Sequence, residues 1–206
     1  MKTWIFAFGL AVIIPTFAFA EKVSLFDGKT FAGWEGDTNK TWRIEDGAIV
    51  GGNLKSTVPH NEFLCTRRQF TNFVLRAKFK LLGTEGFVNG GVQFRSQRIP
   101  NHFEVSGYQA DMGDGWWGCL YDESRRNKVL VKADEAVNKA LKQNEWNDYE
   151  IRCEGKRIKL SINGTQTVDY TEEDPKVAGF GIIGVQIHGG GKTEVSYKDI
   201  SIEDLQ

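Results

Sequence analysis

Three short segments of this chain alternate in the same way, each setting directional polar groups opposite an apolar face. GGVQFRS (90–96) sets Gln93 and Arg95 against Val92 and Phe94, and GYQADMG (107–113) sets Gln109 and Asp111 against Tyr108 and Ala110. GIIGVQIHGG (181–190) sets Gln186 and His188 against Val185 and Ile187. Period two is the signature of a β-strand, whose successive side chains leave on opposite faces. Polar faces elsewhere spend Lys and Glu, as in 72–81 and 192–204, whereas these three spend Gln, Arg, Asp, His and Gly. Gln and Arg offer directional donors to hydroxyls and carbonyls, and Gly lets a ligand approach the backbone. The bland alternative is a face that simply meets water, as one face of an antiparallel sheet often does.

The second of these segments opens the richest stretch of the chain, GYQADMGDGWWGCLYDESRR (107–126). After the turn at Gly113-Asp114-Gly115 come Trp116 and Trp117, then Tyr121 and the DESRR run at 122–126. Adjacent residues of a strand point to opposite faces, so one Trp is expected in the core and the other on a flat platform for a sugar ring. In DESRR, the acids with Arg125 and Arg126 read as a surface ion-pair cluster of small energetic worth, with Arg125 or Arg126 open to a role in clamping a substrate.

The elements that must position these groups are short strands between turns. NFVLRAKFKL (72–81) alternates throughout, and YEIRC, RIKLSI and TQTVDY follow in the second half. Asn163-Gly164 between the last two is a hairpin signal, because a type I′ turn needs positive φ at both central residues. The tail reads as two more strands around Gly189-Gly190-Gly191, and KADEAVNKALKQ (132–143) is the one helical candidate. Many strands and one short surface helix make an all-β, two-sheet antiparallel sandwich or jelly roll, a single domain over 21–206.

Residues 1–20 read as a signal peptide: Lys2, an apolar run IFAFGLAVII, and Ala18-Phe19-Ala20 before the cut. That pattern implies an exported chain, periplasmic or secreted, of a bacterial kind, without a membrane anchor after cleavage. With 26 Lys+Arg against 27 Asp+Glu, the charge balance gives no reason to expect nucleic acid or an anionic membrane as partner. Cys65, Cys119 and Cys153 allow at most one intramolecular disulfide, and buried free thiols are an equal expectation.

Several phrases also carry a family likeness. LFDGKTFAGW (25–34), WRIEDGAIVG (42–51), NFVLRAKFKL, GGVQFRS, WNDYEIRCEGKRIKLSINGTQTVDYTE (146–172) and GVQIH with VSYKDISIEDL occur in this order. The set resembles the signature segments of the 3-keto-disaccharide hydrolase domain family, which has a concanavalin A-like jelly-roll fold. The resemblance implies cleavage, by hydrolysis or elimination, of glycosides oxidised to a ketone at C3. Such chemistry needs a base near C2 and donors at the ketone oxygen. His188 is the candidate base, Arg95 with Gln93 or Gln186 the enolate stabiliser, and Asp111 the partner of His188 or an alternative base. Gln109, Glu104, Trp116, Trp117, Tyr121 and Arg125 complete the expected carbohydrate contacts. The chain departs from the family at Gly107-Tyr108-Gln109-Ala110-Asp111, where many members read Gly-Tyr-Glu-Val-Gln, so the role of the family's Glu does not pass to Gln109 and is left open to Asp111 or Glu104.

Two rivals stand beside this reading. A carbohydrate-binding module without catalysis would use the same fold and Trp pair. An ordinary retaining glycosidase on this fold would need a Glu-x-Asp-x-x-Glu strand holding two carboxylates about 5 Å apart, and the chain has none. No cofactor is expected, except that Asp111, Asp114, Glu104 and His188 could together hold a divalent metal.

Overall fold

The computed structural model describes residues 21–205, so the leader read over 1–20 lies outside the described residues. In chain order the strands are β1 (Lys22–Ser24), β2 (Trp34–Glu35), β3 (Trp42–Glu45), β4 (Ala48–Gly52), β5 (Glu62–Phe70), β6 (Phe73–Gly86) and β7 (Asn89–Arg98). Then follow β8 (Val105–Gly113), β9 (Leu120–Glu123), β10 (Lys128–Val131), α1 (Ala136–Ala140), β11 (Asn147–Glu154), β12 (Arg157–Ile162), β13 (Thr165–Thr171), β14 (Gly181–Ile187) and β15 (Gly191–Asp204).

All pairings are antiparallel and form two sheets. One runs β13-β12-β11-β6-β15-β4-β3, with β1 on β15, and the other runs β10-β9-β8-β7-β14-β5-β2. The three segments with unusual polar faces are therefore neighbours: β8, β7 and β14 sit side by side in the second sheet. The hairpin forms at Asn163 (φ 49°) and Gly164 (φ 80°), both left-handed as the sequence requires. The expected helix over 132–143 contracts to the five residues of α1, with only Val137 buried on it.

Phe73, Leu75, Ala77, Phe79 and Leu81 of β6 meet Val92, Phe94, Tyr108, Ala110, Val185 and Ile187 between the sheets. Burying a large apolar side chain contributes about 1.5–3 kcal/mol, whereas exposed pairs such as Arg157–Asp169 contribute about 0–1. The core therefore carries the stability. All three cysteines are free and buried within the fold.

One charged group is built into the inner face. Asp122 is fully enclosed and pairs with Arg125 (2.8 Å) and with Arg126. Arg126 also grips Glu172 at 2.6 Å, and Tyr108 donates to the same carboxylate at 2.5 Å. Asp122, Arg125 and Arg126 are thus part of a half-buried network with Glu172, while Glu123 faces the other side. Burial alone would raise Glu172, but the Arg126 and Tyr108 hydrogen bonds hold it down at about 2. Removing the Arg126 cation leaves Glu172 without its counter-charge and Asp122 with Arg125 alone, at a cost of about 3–5 kcal/mol. Arg126→Met should accordingly lower the thermal midpoint by about 10 °C in a domain of this size. A calorimetric scan showing a change under two degrees would mean that the network is solvated after all.

Candidate functional site

The sheet β10-β9-β8-β7-β14 presents its second face away from the main core, yet this face is not solvated. Gln93 and Gln186 are 0% exposed, Gln109 2%, Asp111 3% and Glu123 9%. A separate apolar cluster of Phe63, Cys65, Val105 and Ile182 lies apart from the main core. The plain solvent-face reading therefore fails for these strands. Buried polar groups must find partners, and here they find one another. Ser96 donates to Gln93 Oε1 (2.9 Å), Gln93 Nε2 donates to Gln109 Oε1 (2.6 Å), and Gln186 Nε2 donates to Glu123 Oε2 (3.2 Å). Gly91 makes the crossing possible: a Cβ there would stand 2.6 Å from Gln109 Cδ.

Over this face opens a cavity of about 250 Å³, lined by Phe87, Asn89, Gln109, Asp111, Trp116, Tyr121, Glu123 and His188. Asp111 Oδ1 accepts from Asn89 Nδ2 and from the Met112 N–H, both at 2.9 Å. Burial pushes the Asp111 carboxyl up to about 7 against those hydrogen bonds. Burial, reinforced by the charge of Glu104, likewise raises Glu123 to about 7. His188 is half-buried, edge-on to Phe87 with ring centroids 4.6 Å apart. Its Nδ1 lies 2.7 Å from the Gly189 carbonyl. A neutral imidazole donates through that nitrogen to a carbonyl, which leaves Nε2 with the free lone pair. Phe87, Trp116 and Tyr121 form an edge-to-face aromatic wall, at centroid separations of 6.3 and 6.0 Å.

Of the expected residues, His188, Asp111, Gln109, Trp116 and Tyr121 meet at this cavity. Gln93 and Gln186 lie beneath it as supports. Glu104 is at the rim, donated to by Asn61 at 2.9 Å and raised above the usual carboxylate range by burial.

Arg95 requires correction. The pairing of β7 slips by one residue between Phe94 and Gln97, and Arg95 adopts φ 46° at that bulge. An extra residue reverses the facing of everything beyond it. Arg95 consequently points to the other side, where it donates to the carbonyls of Thr71 and Gly155. Ser96 takes its place on the polar face. Trp117 also leaves the expected set, since it stacks on Phe79 of the core at 6.3 Å. Arg125 serves Asp122 and lies over the Tyr108 ring at 4.4 Å, so it does not reach the cavity. The four residues considered for a metal are not gathered: Asp114 is exposed on its turn. Among the described residues no three His, Cys, Asp or Glu side chains form such a group.

Sequence reasoning missed Glu123, Asn89, Phe87 and Asn61. Glu123 was legible in principle, because alternation along β9 puts Tyr121 and Glu123 on the face opposite Leu120 and Asp122. Asn89 and Phe87 lie at the start of β7 and just before it, beyond the alternating segment that drew notice. A larger concavity, about 810 Å³, lies on the first sheet, but its charged residues are engaged in pairs such as Arg76–Glu150 and Lys78–Asp148.

No curated protein matches the chain by sequence. Among solved structures it is similar to a candidate glycosyl hydrolase from Parabacteroides distasonis, with TM-score 0.65, 20% identity, and 90% of this chain and 94% of that one covered. It is also similar to carbohydrate binding module CBM66 from Bacillus subtilis, with TM-score 0.61, 15% identity and coverage of 84% and 96%. A Bacillus subtilis protein of unknown function with a galectin-like fold superposes with TM-score 0.66 at 10% identity, covering 91% and 96%. At these identities the likenesses establish the jelly-roll fold. A family model described as the 3-keto-alpha-glucoside-1,2-lyase-like domain matches residues 21–203. Fold and family together make this a carbohydrate-active or carbohydrate-binding jelly-roll protein. The chain belongs to the 3-keto-alpha-glucoside-1,2-lyase-like domain family.

Proposed function

We propose that the cavity cleaves glycosides bearing a ketone at C3, by taking the proton from C2 and expelling the substituent at C1. The observation that supports this most is the charge make-up of the cavity. It holds a histidine with Nε2 free, two carboxyls raised to about 7, and no Lys or Arg among its lining residues. Titrating groups of this kind mark proton transfer more than simple binding.

The ketone acidifies the C2–H bond, so a base as weak as imidazole suffices. His188 Nε2 takes the proton, and the bonding pair becomes the C2–C3 enolate. With no cation lining the cavity, the enolate oxygen needs a neutral donor. A carboxylic acid held protonated near neutral pH can fill that role, as in ketosteroid isomerase. Asp111, deep in the cavity, is assigned it. When the enolate collapses, the C1–O bond breaks, C1=C2 forms and the ketone returns, while Glu123 gives its proton to the departing oxygen. Water adding across C1=C2 completes net hydrolysis; release before that step makes the protein a lyase. The leader read over 1–20 would place this chemistry outside the cytoplasm.

The direct test follows release of the aglycone from an aryl glucoside and from its 3-keto counterpart. Cleavage of the keto compound alone is expected. Saturable binding of sugar with cleavage of neither would replace the enzyme by a binding module. His188→Ala should lower kcat/KM at least a hundredfold, with the thermal midpoint little changed because the ring is half-buried. A large stability loss would instead mark a packing histidine.

Asp111 yields a separate expectation about pH. A carboxyl whose folded pKa is raised keeps its proton longer in the folded than in the unfolded state. Stability is therefore lost as pH rises from about 4, where the unfolded group titrates, towards about 7. Asp111→Asn keeps an acceptor for Asn89 and the Met112 N–H but cannot ionise. It should melt above the wild type at pH 8, by roughly 1–3 kcal/mol of added stability, and the gap should close by pH 4. Coincident melting at both pH values would show that Asp111 ionises in the fold at no cost.

A further inference from the structure

We propose that Asn61 is the positioning residue of His188: its side chain fixes the backbone against which the imidazole sets its tautomer. The proposal rests on the reading of His188 as the base and adds what keeps that base ready. A catalytic base is ordinarily aimed by a third group, which holds its other nitrogen and so chooses the tautomer. Among the described residues no side chain does this for His188. Its Nδ1 meets the carbonyl of the next residue, Gly189, at 2.7 Å.

That carbonyl lies in a run of three glycines, Gly189-Gly190-Gly191. Glycine has no Cβ to restrict its backbone, and Gly190 sits at φ 91°. The orientation must therefore be imposed from outside, and the segment 58–61 imposes it. Gly190 N–H donates to Val58 O at 2.8 Å, and Gly191 O accepts from Val58 N–H at 2.9 Å. On the other side, His188 N–H donates to Asn89 O at 3.1 Å. Between these backbone pairs, Gly189 N–H donates to a side chain instead, Asn61 Oδ1, at 3.0 Å. The fit leaves no slack, since a Cβ on Gly189 would stand 2.6 Å from His60 Cα.

Asn61 is itself held through both atoms of its amide. A peptide N–H can only donate, so the atom facing Gly189 must be the oxygen, and the nitrogen must face Glu104. Asn61 Nδ2 donates to Glu104 Oε1 at 2.9 Å, and His60 Nδ1 lies 2.9 Å from the Asn61 carbonyl. Asn61 does not line the cavity, so it acts on the reaction through His188. Without its oxygen the His188–Gly189 peptide is free to turn, and the ring shifts relative to the Gly189 carbonyl. The ring proton then redistributes between the two nitrogens. A histidine with that proton on Nε2 presents a donor where the reaction requires an acceptor.

The test reads the tautomer directly, by ¹⁵N NMR of protein labelled in histidine. The chain has three histidines, and His188→Ala identifies the signal of the third. At about pH 8.5, where an ordinary imidazole is neutral, wild-type His188 should favour the Nδ1–H form about tenfold. Asn61→Ala should lower that ratio about five- to tenfold. Asn61→Asp keeps an oxygen for the Gly189 N–H and should stay within about twofold of the wild type. Both variants lose the tie to Glu104, so a lower melting temperature in either does not separate positioning from packing; the tautomer ratio does. With the 3-keto aryl glucoside, Asn61→Ala should lower kcat about tenfold and leave KM within about twofold. An unchanged tautomer ratio in Asn61→Ala, or an equal loss in Asn61→Asp, overturns the proposal. The NMR signal needs no substrate, so a shifted ratio in a protein that cleaves neither glucoside keeps Asn61 as the positioning residue while the proposed reaction falls. A shifted ratio with kcat unchanged likewise keeps Asn61 in place and removes His188 as the base.

Discussion

Enclosing a polar, acidic face outside the main core is the constraint that shapes this molecule. Apolar faces can be buried at a gain, but amides and carboxyls cannot be taken from water unless they are paired or neutralised. The fold uses both solutions on the two sides of one short strand. On the inner side of β9, Asp122 stays charged because Arg125 and Arg126 sit on it. On the outer side Glu123 has no counter-charge among its partners, the Gln186 amide and the Ser124 N–H, and burial moves its proton equilibrium instead. Two residues adjacent in sequence thus hold opposite electrostatic solutions. The backbone beneath the face is fixed from across the core by Tyr197 of β15. Its hydroxyl accepts from Gly91 N–H (3.2 Å) and lies 2.7 Å from the Gln186 carbonyl, joining β7 to β14.

Much of this was legible in the sequence for simple reasons. Period-two alternation is local, so the strands, the Asn163-Gly164 hairpin and the sandwich follow from neighbours along the chain. The polar strands were recognisable because they use amides where solvent faces use Lys and Glu. Trp116 and Trp117 lie in the turn between β8 and β9 rather than in a strand, so alternation is not what parts them: Trp117 packs on Phe79 while Trp116 lines the cavity.

What was illegible depends on events that alternation cannot report. The bulge at Arg95 inserts one residue without a sequence mark, since a left-handed backbone at Arg is not announced by Gly or Asn. Glu123 looked like part of a surface charge run because its partner Gln186 lies 63 residues away. The helix shrank from twelve expected residues because only Val137 of α1 finds a buried place, and a short helix gains little without packing.

The bulge in β7 has a wider meaning. Arg95 faces the turns at Thr71 and Gly155 only because one residue is inserted ahead of it. The charge carried by the enclosed polar face is therefore set by chain length as well as by residue identity. A relative with the same amino acids but one residue fewer at this point would turn a guanidinium onto the amide face, where a permanent cation would stand in place of the Ser96 hydroxyl beside Gln93. Comparing such proteins by aligned letters alone would pair two arginines that serve different faces of the sheet.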